Sequence, residues 1–163
     1  MDQLSTKEIA PLIRSSGYFN QKALRLKVFV RHLHQKYQGK MTRMRRLPLA
    51  HLREELLNLP GIGPETADSI LLYAFGKPTF VVDAYTRRVL ARHSLISWKA
   101  TYEEIQSLFI EQLPKDSALF NEFHALFVAL GKDLCRKSYP KCHRCPLRRI
   151  GKLQLEVPAE YHP

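Results

Sequence analysis

The sequence predicts an all-α protein, a helical bundle holding a cleft, and three observations carry that prediction. Apolar residues recur three and four apart in run after run. The runs are punctuated by capping residues, glycine and proline. Only the short stretch 79–82 has an extended character, so strand content is negligible. With 163 residues, 45% of them hydrophobic, the chain suits one compact domain or two lobes sharing a core.

Each element follows from local chemistry. Ser5 and Glu8 have the spacing of a capping box and open a short helix through Ile9, Leu12 and Ile13, which Gly17 stops. Asn20 is placed to cap a longer helix carrying Ala23, Leu24, Val28, Phe29 and Leu33, closed by Gly39. Residues 40–46, with Arg43, Arg45 and Arg46, read as a basic connector, either a solvated loop or a phosphate contact. Pro48 starts a helix through Leu52, Leu56 and Leu57. A glycine-rich turn follows, then a helix with Ala67, Ile70, Leu71 and Ala74 on one buried face, broken by Gly76-Lys77-Pro78. Asp83 opens the next helix, through Val89 and Leu90. Two more helices run from Tyr102 to Gln112 and from Ser117 to Leu134, and a basic, turn-rich tail begins at Cys135.

Composition narrows the function. Lys and Arg number 26 against 15 Asp and Glu, a formal charge of +11. Such a surplus suits a polyanionic partner, most simply nucleic acid. No stretch approaches the roughly 20 apolar residues of a membrane span, and the start lacks a secretory apolar core. The expected location is cytoplasmic, near the nucleoid, with the chain a monomer. Three cysteines do not make a disulfide framework.

The segment Leu59-Pro60-Gly61-Ile62-Gly63-Pro64-Glu65-Thr66-Ala67 joins two helical runs. Glycine lets a backbone approach a partner closely, and Pro64 suits a first helical position. A helix beginning there points unpaired N–H groups and a positive dipole end outward, which suits a phosphate. Taken alone, the same letters also describe a turn between packed helices. Asp83, in Val81-Val82-Asp83, lies eighteen residues beyond Glu65. Together these residues resemble the helix-hairpin-helix DNA glycosylases of the endonuclease III superfamily.

That resemblance implies base excision from damaged double-stranded DNA. It assigns Asp83 as the catalytic carboxylate, which would stabilise positive charge building on the sugar and activate water. An aspartate at a helix start is more commonly an N-cap, and the two roles are compatible. DNA contact falls to Leu59, Pro60, Gly61, Ile62, Gly63 and Thr66, with Arg87, and Arg88 beside it, able to reach phosphate. The bifunctional members carry a Schiff-base lysine where this chain has Glu65, which cannot form an imine. Lys77 is the nearest lysine before Asp83 and lies outside the motif. Ser16-Gly17-Tyr18-Phe19-Asn20-Gln21-Lys22-Ala23, Glu65 and Ala67-Asp68 are similar to the 3-methyladenine glycosylase subgroup, implying a monofunctional enzyme for alkylated bases. Tyr18, Phe19, Tyr73 and Tyr85 are candidates to stack a flipped base, though core packing is the commoner use of each. A non-catalytic DNA-binding remnant and a bifunctional glycosylase/lyase remain the alternatives.

The resemblance runs from about Ile9 to Leu147. It divides the chain into residues 1–134, a helical core without the family's first helices and with the hairpin at 54–75, and residues 135–163, a cysteine loop and basic tail. Cys135, Cys142 and Cys145 match the first three ligands of the family's iron–sulfur loop, and the fourth position is Gly151. Three readings stay open: a 4Fe–4S cluster one protein ligand short, zinc with His143 or His162, or a loop that folds without metal. In each, Lys137, Lys141, Arg144, Arg148 and Arg149 would make the loop a basic DNA-facing surface.

Overall fold

Ser5 accepts the Glu8 backbone N–H while Glu8 reaches back to the Ser5 N–H at 2.7 Å, so the expected capping box opens α1, Thr6–Leu12. The computed structural model describes residues 3–154, and its regular elements are helices, with no strand among the described residues. Its elements divide into two compact units, Met1–Ala67 and Asp68–Pro163.

In the first unit, α1 is followed by a 3₁₀ turn, Arg14–Ser16, and by α2, Phe19–Tyr37. Asn20 is not the cap of α2. The turn through Gly17 and Tyr18, both with positive φ, starts the helix earlier, and the Lys22 N–H already donates to the Tyr18 carbonyl. Ile9, Ala10 and Ala23 form the buried contact of α1 with α2, with Phe19 and Leu26 packed on it. The basic connector also departs from expectation. Met41–Arg45 is a short helix, α3, because Met44 is fully buried and anchors it while Arg43 and Arg45 stay exposed. Helix α4, Leu49–Leu57, buries Leu52 and Leu56 and delivers the hairpin.

Helix α5, Pro64–Ser69, starts on Pro64 as expected and continues as a π turn, Ile70–Ala74. There the Phe75 N–H donates to the carbonyl of Ile70, five residues back. The wider turn rotates the buried face, so Leu71, Leu72 and Phe75 point inward and Ala74, expected inside, is exposed. Residues 79–82 are extended and buried without being a strand. Asp83 then caps α6, Ala84–Arg92, followed by α7, Tyr102–Gln112, and α8, Ser117–Asp133. The core of this unit is Leu72, Phe80, Val81, Val82, Leu90, Ile105, Phe109 and Phe120. Phe80 stacks on Phe109 with ring centroids 3.7 Å apart and meets Phe120 edge-on at 5.8 Å. That packing seats the extended segment beneath Asp83 and so fixes where α6 begins.

Candidate active site

Asp83 occupies the N-cap of α6 with an extended backbone, and its Oδ1 accepts the Thr86 N–H at 2.7 Å. The second oxygen, Oδ2, lies 3.5 Å from Nε2 of His124 on α8. Both side chains are 12% exposed. On its other side His124 shares a short hydrogen bond, through Nδ1, with the hydroxyl of Tyr73 from the π turn. Next to Asp83, the Val82 N–H donates to the Tyr102 hydroxyl at 3.3 Å.

Burial by itself would raise the Asp83 carboxyl. His124 and the Thr86 N–H outweigh it, and the group sits below the usual carboxylate range. The phenol of Tyr73 is pushed up by burial and by the Asp83 charge. The constellation therefore presents a fixed, ionised carboxylate, suited to a developing cation and to a water that must lose a proton. Sequence reasoning missed His124. Its only signal is a polar ring between Phe123 and the apolar run Ala125-Leu126-Phe127-Val128, and nothing local ties it to Asp83.

The other sequence-assigned residues fall as follows. In the hairpin, Gly61 has φ +81°, and a Cβ there would come within 3.0 Å of the Arg25 side chain. Gly63 has no positive φ and faces open space, so its backbone is bare toward solvent. Ile62 is buried and Leu59 partly so, while Pro60, Glu65 and Thr66 are exposed. Arg87 donates to the carbonyls of Ala100 and Trp98, engaging the turn before α7. Arg88 donates to the carbonyls of Cys135 and Gly131 and lies over the Tyr85 ring. Tyr85 packs against Gly131, Phe19 packs on the α1–α2 contact, and Tyr18 is 84% exposed.

Cys135, Cys142 and Cys145 are free thiols lining one small cavity of about 10 Å³, which they share with Arg92 and His93. Burial, then the neighbouring Cys135, pushes the Cys142 thiol up. The Arg92 guanidinium is buried there, 3.4 Å from the Cys135 sulfur and bonded to the carbonyls of Arg136 and Lys137. At the fourth position a Cβ on Gly151 would stand 2.1 Å from the His93 carbonyl oxygen. Among the described residues no group of three His, Cys, Asp or Glu side chains is gathered to hold a metal ion. His143 is exposed, and His162 lies outside the described residues. The residues present do not fit a four-thiolate cluster, nor zinc through His143.

An apolar groove of about 450 Å³, walled by Phe123, Leu126, Phe127, Leu130, Pro146 and Leu147, contains none of the Asp83 constellation. No helix among the described residues is long and apolar enough to cross a membrane.

Residues 1–115 match the family model described as HhH-GPD superfamily base excision DNA repair protein. A protein of Methanocaldococcus jannaschii named as a DNA repair glycosylase is 43% identical over 145 residues, covering 88% of this chain and 65% of its own length. A solved non-covalent endonuclease III–DNA complex is similar with a TM-score of 0.72 and 28% identity, over 91% of this chain and 64% of that one. A Helicobacter pylori 3-methyladenine DNA glycosylase bound to 1,N6-ethenoadenine is similar with a TM-score of 0.65 and 28% identity, over 80% and 65%. The chain spans 60–65% of the length of the relatives it matches first. With its hairpin, its all-helical fold and its capped aspartate, the chain belongs to the HhH-GPD superfamily of base excision DNA repair proteins.

Proposed function

We propose that the chain is a DNA N-glycosylase that hydrolyses the bond between sugar and damaged base in duplex DNA. The observation that carries this reading is Asp83: a carboxylate held at two oxygens and kept ionised despite burial. A pure DNA-binding module has no use for such a group. Departure of the base leaves positive charge on the sugar, and a preorganised carboxylate stabilises that charge more than it stabilises the intact substrate, whose sugar is uncharged. The same oxygen can accept the proton of the attacking water.

An alkylated base is the favoured substrate. Such a base carries its own positive charge and leaves readily, and the 3-methyladenine glycosylase likeness supports it. Glu65 at the lysine position supports hydrolysis alone, with the abasic site left intact. The exposed hairpin supports sequence-independent grip on the phosphate backbone, aided by Lys137, Lys141, Arg144, Arg148 and Arg149 of the cysteine loop.

Single-turnover release of base from alkylated duplex DNA tests the proposal. Asp83→Asn keeps the shape of the site and deletes its charge. The expected result is loss of excision with DNA affinity retained. Release at the parental rate by Asp83→Asn removes Asp83 from catalysis. No release by the parent chain, with intact DNA binding, favours the non-catalytic remnant.

A further inference from the structure

One imidazole links Asp83 to a sequence-distant part of its unit, facing the carboxylate with one nitrogen and bonding Tyr73 with the other. Tyr73 and His124 are 51 residues apart, yet their side chains share a short hydrogen bond. The other nitrogen of the same ring faces Oδ2 of Asp83. We propose that His124, with its tautomer set by Tyr73, is a positioning residue that aims and holds the Asp83 carboxylate. This rests on the reading of Asp83 as the catalytic group.

The argument is one of donors and acceptors. A neutral imidazole has one N–H and one lone pair. Tyr73 keeps its proton, because burial and the neighbouring Asp83 charge oppose its loss. Its hydroxyl therefore donates to Nδ1, and the ring hydrogen sits on Nε2, aimed at the carboxylate. In the opposite tautomer a lone pair would face a negative oxygen. Nε2 is buried and makes no hydrogen bond, and the acceptor it faces is Oδ2 of Asp83 at 3.5 Å. Asp83 is what remains for it to address.

The division of labour at the carboxylate fits. Oδ1 is spent on the Thr86 N–H, as in any capped helix. A cap alone leaves the carboxylate free to rotate about its last bond. A donor at Oδ2 from a different helix removes that freedom and sets which lone pair faces the sugar. It does so without taking the carboxylate's charge.

The groups facing Asp83 are Tyr73 of the π turn, His124 of α8 and, through the adjacent Val82 N–H, Tyr102 of α7. On its own helix, Arg87 is turned to the carbonyls of Ala100 and Trp98. His124 is thus the group whose removal changes how readily Asp83 takes a proton.

The test measures single-turnover base release against pH for the parent, His124→Ala, His124→Gln and Tyr73→Phe, beside a carbon-13 titration of the Asp83 carboxyl. His124→Ala should lower the rate about 100-fold with unchanged DNA affinity. Its acid limb and the carboxyl titration should both move up by roughly one pH unit. His124→Gln, whose amide can donate from a similar place, should recover part of the rate and most of the shift. Tyr73→Phe should move both in the same direction by less. An unmoved carboxyl titration in His124→Ala overturns the proposal, whether or not the rate falls. Because the titration needs no turnover, it judges the relay even if Asp83→Asn excises at the parental rate, a result that would sink only the catalytic assignment. Should His124→Ala fail to fold, Tyr73→Phe reads the shift by itself, and an unmoved carboxyl titration there overturns the proposal.

Discussion

A Cβ on Gly151 would lie 2.1 Å from the carbonyl oxygen of His93, closer than any non-bonded contact allows without displacement. The contact is backbone against backbone, so no side-chain motion relieves it. It is flanked by His93 Nδ1 on the Ile150 carbonyl at 2.6 Å and the Ser94 hydroxyl on the Lys152 carbonyl at 2.6 Å. The place where the family's cluster takes its fourth thiolate is thus used to close the loop. Gly151→Cys should not install a cluster. It should instead destabilise the fold by about 1–3 kcal/mol, since φ of +65° strains any side chain. Iron and sulfide analysis after anaerobic reconstitution, with a thermal melt, checks both. A four-iron chromophore in Gly151→Cys would refute the closure.

The two hairpin glycines should separate under mutation. Gly63 has open space around it, so Gly63→Ala should keep stability within about 1 kcal/mol. It should still weaken binding to every duplex alike, because a side chain there would hold the backbone off phosphate. Gly61→Val should cost stability first, its φ of +81° lying in the left-handed region. Binding isotherms over a salt series, with melts, distinguish the two. Equal affinity for the parent and Gly63→Ala at low and high salt would take the hairpin off the DNA.

Gly131 lets α6 and α8 meet. A Cβ there would stand 2.5 Å from Tyr85 Cδ1 and 2.7 Å from its Cβ, the second an atom that cannot swing aside. Gly131→Ala should destabilise by about 1–3 kcal/mol. It should also slow excision more than binding, because the same helix pair spaces Asp83 from His124. Denaturant melts and single-turnover rates give the two numbers. A stable variant with parental rate would show that the helices shift freely.

Glu55 of α4 is the acceptor of the first unit. It takes the Tyr37 hydroxyl at 2.6 Å, Lys36 Nζ at 2.5 Å and His32 Nε2 at 2.6 Å, all from α2. Burial opposes its ionisation, but Lys36, Tyr37 and His32 outweigh it and hold the carboxyl below its ordinary value. A depressed folded pKa gives stability that is complete above the unfolded value, near 4.5, and lost as pH falls through the folded one. Glu55→Gln should cost about 2–3 kcal/mol at neutral pH and flatten the acid side of the stability curve. Urea melts from pH 3 to 7 measure it. An unchanged acid slope would mean other carboxylates dominate.

Borohydride traps an imine between a lysine and an abasic sugar. With Glu65 in the lysine position, trapping on abasic DNA should give no adduct above background. An adduct that survives Glu65→Gln and disappears in Lys77→Ala would make Lys77 the amine and the enzyme bifunctional.

The sequence alone determined the helices whose ends are written in short-range chemistry. The Ser5–Glu8 box, Pro64 at the start of α5, Asp83 at the cap of α6 and the bounds of α7 were all legible, because capping joins residues two or three apart. The hairpin and its spacing to Asp83 named the family for the same reason. Tertiary packing decided the rest. Asn20 gave way to the Gly17–Tyr18 turn, and burial of Met44 made a helix of the basic connector. The π turn rotated Tyr73 onto His124, and α8 brought that ring to Asp83. No periodicity encodes such a meeting, since it depends on which helix faces which and at what distance. The cysteine spacing matched three ligands of the family's iron–sulfur loop with Gly151 in the fourth place, and only the fold shows that glycine set against a carbonyl, a contact between segments far apart in the chain.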